Sequence, residues 1–112
     1  VILSQVKRGR SKVLVALTHG SVAGFCIYQI KHCSEEIFID YLAVNPRIRS
    51  SGIGTRLINE VIDISFLYEY DIKLLCVYTK IVYYSRFGFE TLCRTPENWN
   101  VMVKKVEDTE KW

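Results

Sequence analysis

The run from Glu36 to Ser65, EIFIDYLAVNPRIRSSGIGTRLINEVIDIS, constrains this chain more than any other. It reads as an apolar strand that stops at Asn45-Pro46, a short basic turn with Arg47, Arg49, Gly52 and Gly54, and then a helix. A strand that delivers a Gly-rich turn into a helix N-terminus leaves backbone N–H groups unpaired beside the positive end of the helix dipole. That is a ready seat for phosphate. A purely conformational reading competes, because a strand-to-helix reversal needs glycine for backbone reasons alone. The string is not the dinucleotide fingerprint, which wants three glycines and an acidic residue further on, and no Gly-Lys-Ser/Thr follows to make a P-loop. Two arginines beside the turn and the hydroxyl of Thr55 in the first helical turn favour an anionic ligand.

The flanking periodicities set the fold. Lys12 to Thr18 and Val22 to Ile30 are β-branched, apolar runs joined by His19-Gly20-Ser21, which predicts a hairpin, and Gly24 predicts a bulge or a close backbone approach. Glu36 to Val44 is nearly continuous in apolar character, as for a strand covered on both faces. From Gly52 to Tyr68 the period changes. Ile53, Leu57, Val61, Ile64 and Leu67/Tyr68, widened by Ile58 and Ile62, form one stripe opposite Arg56, Asn59, Glu60 and Asp63. Tyr70-Asp71 closes this helix and Ile72 to Tyr78 is a further buried strand, so the three elements spell a right-handed parallel crossover. Thr79 is the expected N-cap of a short helix from Lys80 to about Phe87 that ends at Gly88. Strands starting at Phe89 to Leu92 and running from Trp99 to Val106 follow. Ile2 to Val6 reads equally as the end of a helix or as an edge strand, and Glu107 to Trp112 is expected to fray. The expectation is one α/β (α+β) domain over 1–112: a mixed, mostly antiparallel sheet with a central β-α-β crossover, in the order β-β-β-α-β-α-β-β, without repeats or linkers.

Composition narrows the function classes. With 49% hydrophobic and 24% charged residues, two prolines and six glycines, disordered and collagen-like classes are excluded. No apolar run reaches the roughly 18 residues of a membrane span and no leader pattern is present, so an intracellular protein is expected, cytoplasmic or nuclear. The net charge of +3 is too mild to argue a nucleic-acid partner, and KRGRSK at 7–12 reads as a solvated turn. Cys26, Cys33, Cys76 and Cys93 match no zinc spacing; three sit in apolar segments and read as small buried hydrophobes kept reduced, and no metal is expected.

Two motifs carry a family resemblance. YLAVNPRIRSSGIGTRLI resembles the signature of the GNAT superfamily of acetyl-CoA-dependent N-acetyltransferases, Arg/Gln-x-x-Gly-x-Gly/Ala at a strand-to-helix turn. Tyr83-Tyr84-Ser85-Arg86-Phe87-Gly88-Phe89 is similar to the family's aromatic-Tyr-x-x-x-Gly-Phe stretch, one helix and one strand later. The resemblance spans about residues 12 to 106. It implies that backbone N–H groups of Arg49, Ser50, Ser51, Gly52, Ile53, Gly54 and Thr55 hold the CoA pyrophosphate. It also implies that Leu42, Ala43 and Val44 pair through their backbone with the pantetheine amides, beside a gap where this strand splays from Ile72 to Tyr78. Cofactor would enter that gap from one side and amine from the other.

Acetyl transfer needs a neutral amine, a donor for the developing oxyanion and a tolerated thiolate. By resemblance Tyr84 is the general acid toward the CoA sulfur, with Tyr83 as the alternative register, and a backbone N–H near Val44 serves the oxyanion. For a base, Asp40 is an unusual acidic residue within an apolar strand, and Glu35 and Glu36 stand at the start of that strand; Asp40 reads equally as an ion-paired or outward-facing residue. His19 and His32 read as solvated turn residues, and Cys76 as core rather than nucleophile. Two departures from the family stand out. Only about eleven residues precede Lys12, so the usual N-terminal strand and helices are expected to be absent or truncated, opening the acceptor side toward a peptide or protein tail. Between Val77 and Tyr84 no Asn is present to hold cofactor, leaving Thr79 or Lys80 to serve. The acceptor is expected to be a protein lysine or N-terminal amine or a small amine, with no membrane partner. A CoA-binding sensor or scaffold without turnover is the rival from another class, and an unrelated nucleotide-binding α/β domain is a weaker third.

Overall fold

Buried residues alternate with more exposed ones along most of the strands, so the inner strands each give one row of side chains to a single core. The computed structural model describes residues 2–106, with Ile2, Lys7, Arg8, Arg49, Ser50 and Ser51 described by their backbone alone. The strands are β1 (Ile2–Arg8), β2 (Ser11–Thr18), β3 (Ser21–Lys31), β4 (Glu36–Val44), β5 (Asp71–Cys76), β6 (Glu90–Arg94) and β7 (Asn100–Lys104). Helices α1 (Ile53–Tyr68) and α2 (Ile81–Ser85) are each preceded by a 3₁₀ turn, Pro46–Ser51 and Tyr78–Lys80. The strands form one sheet in the order β1-β2-β3-β4-β5-β7-β6, antiparallel except where β5 lies parallel to β4 across the α1 crossover. This is the mixed, mostly antiparallel α/β arrangement expected, with one strand more at the start.

That added strand settles Ile2 to Val6 as sheet: β1 pairs with β2 from Ile2–Leu17 to Arg8–Ser11 across the two-residue turn Gly9-Arg10. It is an edge strand. The core lies between the sheet and α1, where Tyr28, Ile37, Ile39, Ile72, Leu74 and Met102 meet Ile53, Leu57, Ile58 and Val61, all at most 5% exposed. The last turn of α1 departs from the expected stripe. Ser65 is the buried residue there, while Leu67 is 79% exposed. At 100° per residue Leu67 lies about 120° from the centre of the buried face, so the period carries it away from the sheet. Cys93, read as buried, is exposed because β6 is an edge strand with all five residues exposed. Cys26 and Cys76 are buried as expected. Among the described residues no helix is long and apolar enough to cross a membrane.

Two irregularities shape β4. Between Ile27–Tyr41 and Tyr28–Ile39 the β3–β4 register slips by one, leaving Asp40 as an extra residue in β4. Further along, Gly24 opposes Val44, and a Cβ built on Gly24 would lie 2.7 Å from the carbonyl oxygen of Ala43 and 3.1 Å from Ile53 Cγ2. The close backbone approach expected at Gly24 is therefore real, and it seats the end of β4 against β3 and the start of α1. Gly24→Ala should lower the unfolding free energy by about 1–3 kcal/mol, read from the denaturant midpoint, because the clash is with backbone that cannot rotate away.

Candidate active site

The parallel ladder between β4 and β5 runs from Glu36–Asp71 to Ile39–Leu74 and stops. Beyond it β4 continues to Val44 and β5 to Cys76 without pairing, so the splay expected between these strands is present. A cleft of about 430 Å³ occupies this end of the molecule, lined by Leu42, Ala43 and Val44 of β4, Gly54 of α1, and Lys80, Tyr83 and Tyr84. Residues far apart in sequence thus share one site. The β4 segment that lines the cleft has no strand beside it on the β5 side, leaving backbone groups for an extended ligand.

The turn into α1 is set by its backbone. Asn45 caps the 3₁₀ segment by accepting a hydrogen bond from the Arg47 N–H (3.0 Å). Gly52 then takes φ = 80°, a left-handed conformation that redirects the chain into α1. Among the described residues no side chain caps α1, and its first turn contains no acidic residue, which leaves first-turn N–H groups able to donate to a ligand. The first helical bond runs from Arg56 N–H to Gly52 C=O at 3.0 Å. Ile53 is 1% exposed, so its side chain belongs to the core, whereas Thr55 is exposed. For Arg49, Ser50 and Ser51 the side chains lie outside the described residues.

The aromatic-glycine motif is a helix stop with a site attached. Phe89 N–H reaches Tyr84 C=O (3.4 Å) and Gly88 N–H reaches Ser85 C=O (3.1 Å), the two bonds of a Schellman ending, with Gly88 at φ = 95°. The apolar contact that accompanies such an ending is Tyr84 against Phe89, edge to face at 5.9 Å, with Phe89 buried. Spacing in Tyr-x-x-x-Gly-Phe is thus fixed by helix termination, and it holds the Tyr84 ring at the cleft. Thr79 is not the cap expected of it: it lies in the 3₁₀ turn, and Lys80 takes the cap position without a side-chain bond. Of the two residues offered in place of the missing Asn, Lys80 lines the cleft.

Burial, with the neighbouring Tyr83, Cys76 and Cys26 adding to it, pushes the Tyr84 hydroxyl from its usual 10 to about 12. It is a neutral hydrogen-bond donor at every physiological pH. Burial likewise raises Tyr83, partly offset by Arg86.

Asp40 does not line this cleft. Its Oδ2 accepts a hydrogen bond from Gln29 Nε2 at 2.9 Å. Gln29 follows Tyr28, which points to the α1 side, so the pair lies on the opposite face of the sheet at the level where the strands part. Its partner is a neutral amide, a contact that sequence spacing does not reveal. Glu35 and Glu36 are too remote to act as bases: Glu36 pairs with Lys73 (3.1 Å), six strand residues or about 20 Å from Leu42. His32 accepts from or donates to the Tyr70 hydroxyl (2.9 Å) at that same distant end. Among the described residues no group of three or more His, Cys, Asp or Glu could hold a metal ion.

Comparison with known proteins matches residues 9–91 to the family model described as acetyltransferase (GNAT) domain. No curated protein matches the sequence. Among solved structures, the ribosomal-protein-S18-alanine N-acetyltransferase from Escherichia coli superposes with a TM-score of 0.77 at 18% identity, covering 92% of this chain and 74% of that one. Tetrahymena GCN5 gives 0.78 at 18% identity over 89% and 71%. The PaiA N-acetyltransferase from Thermoplasma acidophilum, in complex with coenzyme A, gives 0.75 at 21% over 86% and 61%.

The Tyr84 shift has a pH consequence. The folded state holds this proton more tightly than the unfolded chain, so its contribution to stability is complete below pH 10 and is lost as pH rises toward about 12. Tyr28, raised to about 12 chiefly by burial, acts in the same window, and Cys26, raised by burial from 9 to about 12, begins to act near pH 9. Tyr84→Phe should make the alkaline fall in stability shallower by one proton, measured by denaturant titration across that range.

Proposed function

The chain belongs to the GNAT family of acetyltransferases, and on that premise we propose that it transfers an acetyl group from acetyl-CoA to a primary amine by direct attack. The acceptor is a lysine or N-terminal amine of a protein, or a small amine. The observation that carries this reading is the cleft itself, where Tyr84, the free edge of β4 and the uncapped start of α1 converge. We place its work inside the cell, where its free cysteines stay reduced.

Acetyl-CoA, when bound, supplies an activated thioester with a thiolate as leaving group. The backbone of Arg49 to Thr55 takes its diphosphate, with the α1 dipole favouring the negative charge. Lys80 adds a cation at the cleft wall. Leu42, Ala43 and Val44 pair with the pantetheine amides as an added strand would. A backbone N–H near Val44 donates to the oxygen that gains charge during transfer. Tyr84 donates a hydrogen bond toward the sulfur. With its hydroxyl raised to about 12, against about 8.5 for an ordinary thiol, Tyr84 lowers the charge on sulfur without surrendering its proton outright. Asp40, held by Gln29 on the far face, takes the amine proton directly or through water.

Acetyl-CoA at a hundred times its dissociation constant should stabilise the protein by about 2.7 kcal/mol, with ATP and NAD giving no shift. Tyr84→Phe should keep that stabilisation while transfer to a responsive amine falls by about 10²–10⁴-fold. A wild type stabilised by acetyl-CoA that acetylates nothing in a broad panel of peptides and small amines would be a binding module rather than an enzyme.

A further inference from the structure

Tyr83 and Tyr84 are neighbours on one short helical turn, so their side chains leave it about 100° apart. Tyr84 takes the direction of the sheet, while Tyr83 takes that of α1. The Tyr83 hydroxyl rests against Gly54, the second residue of that helix, so closely that a Cβ built on Gly54 would overlap it. The other atoms near that point stand off at ordinary contact distances, with Val44 Cγ2 at 3.6 Å and Tyr83 Cζ at 3.7 Å. One oxygen atom therefore excludes a side chain at position 54. The Tyr83 ring cannot easily swing away. It lies edge to face with Tyr84 (5.2 Å, 76°) and with Phe87 (5.5 Å, 67°), and it is half-buried.

We infer that Tyr83 is a positioning residue of the cleft: its hydroxyl fills the place of the side chain missing at Gly54 and thereby sets the spacing between the start of α1 and the turn that carries Tyr84. The inference rests on the reading of this cleft as the acyl-CoA site, since those two walls would hold the diphosphate and the thioester ends of one ligand. It gives Gly54 a reason distinct from ligand approach. The glycine is matched to a protein atom on the far wall.

A matched pair behaves differently from two independent contacts. Tyr83→Phe leaves a gap one oxygen wide, Gly54→Ala makes an overlap, and in the double variant the new methyl occupies the vacated space with the ring carbon still about 3.7 Å away. Calorimetric titration with CoA of wild type, both single variants and the double variant tests this, alongside the melting temperature of each without ligand. Each single variant should bind CoA about tenfold more weakly, as for a small misplacement of one wall. The double variant should return to within about threefold of wild type, a coupling that independent sites do not show. A double variant no tighter than the weaker single variant overturns the inference and leaves the cofactor reading standing. A melting temperature that moves while CoA affinity does not would make the contact merely structural and also overturns it. Should wild type fail to bind CoA, the cofactor reading falls and this role falls with it. If Gly54→Ala alone does not fold, the same substitution in the Tyr83→Phe background serves: CoA affinity above that of Tyr83→Phe supports the pair, and lower affinity refutes it.

Discussion

Everything at the cleft depends on a hydrogen-bond ladder that ends early. Strands β4 and β5 share four residue pairs, Glu36–Asp71 to Ile39–Leu74, and then separate. A parallel pair buried inside a sheet ordinarily continues, because unpaired backbone groups away from water cost free energy. Here the cost is reduced by exposure: Ala43, Leu75 and Val77 are open to solvent, and the cleft admits water or ligand. The opening is thus a place where the sheet is left incomplete and an extended molecule can finish it.

The features around the opening act in concert. The extra residue at Asp40 falls where the ladder stops, so the slip of register that turns its carboxylate to the far face coincides with the parting of the strands. On the near face, Gly24 lets β3 press against Ala43 and Val44, and the same contact brings Ile53 to the end of β4. One close approach therefore seats both the strand floor and the start of α1. From the other side the Schellman ending at Gly88 turns the chain sharply, and the ring of Tyr84 meets Phe89 edge to face as part of that ending. The tyrosine's orientation is inherited from helix termination rather than from any contact special to chemistry.

What was legible in the sequence was what is local. The strand, basic turn and helix from Glu36 to Ser65 could be read because the period changes from a continuous apolar run to three-and-four spacing, with Pro46, Gly52 and Gly54 between. Gly88 announced the end of α2 for the same reason. Strand β1 is ambiguous in sequence, since Ile2 to Val6 is short and its partner is needed to tell sheet from helix. Pairwise facts were invisible. That Asp40 is an extra residue is a property of register against β3, and its bond to Gln29 follows from that register. The choice of Lys80 over Thr79, and the meeting of Tyr83 with Gly54, depend on how two walls fold together. Leu67 misled because an apolar residue at helical spacing counts toward a stripe even where the helix has rotated it off the sheet.

The two strands that part at the cleft are fastened at their opposite end. Glu36 of β4 reaches diagonally to Lys73 of β5 (3.1 Å), and Asp71 beside it holds Lys105 (3.2 Å) and the N–H of Val106 (2.8 Å). A pair of strands tied at one end and free at the other does not breathe uniformly. Opening fluctuations concentrate at the free end, so the β4 amides that face β5 should exchange slowly up to Ile39 and fast beyond it, where β5 no longer pairs with them. The gradient would mark the boundary between the part of the sheet that holds the fold and the part kept open.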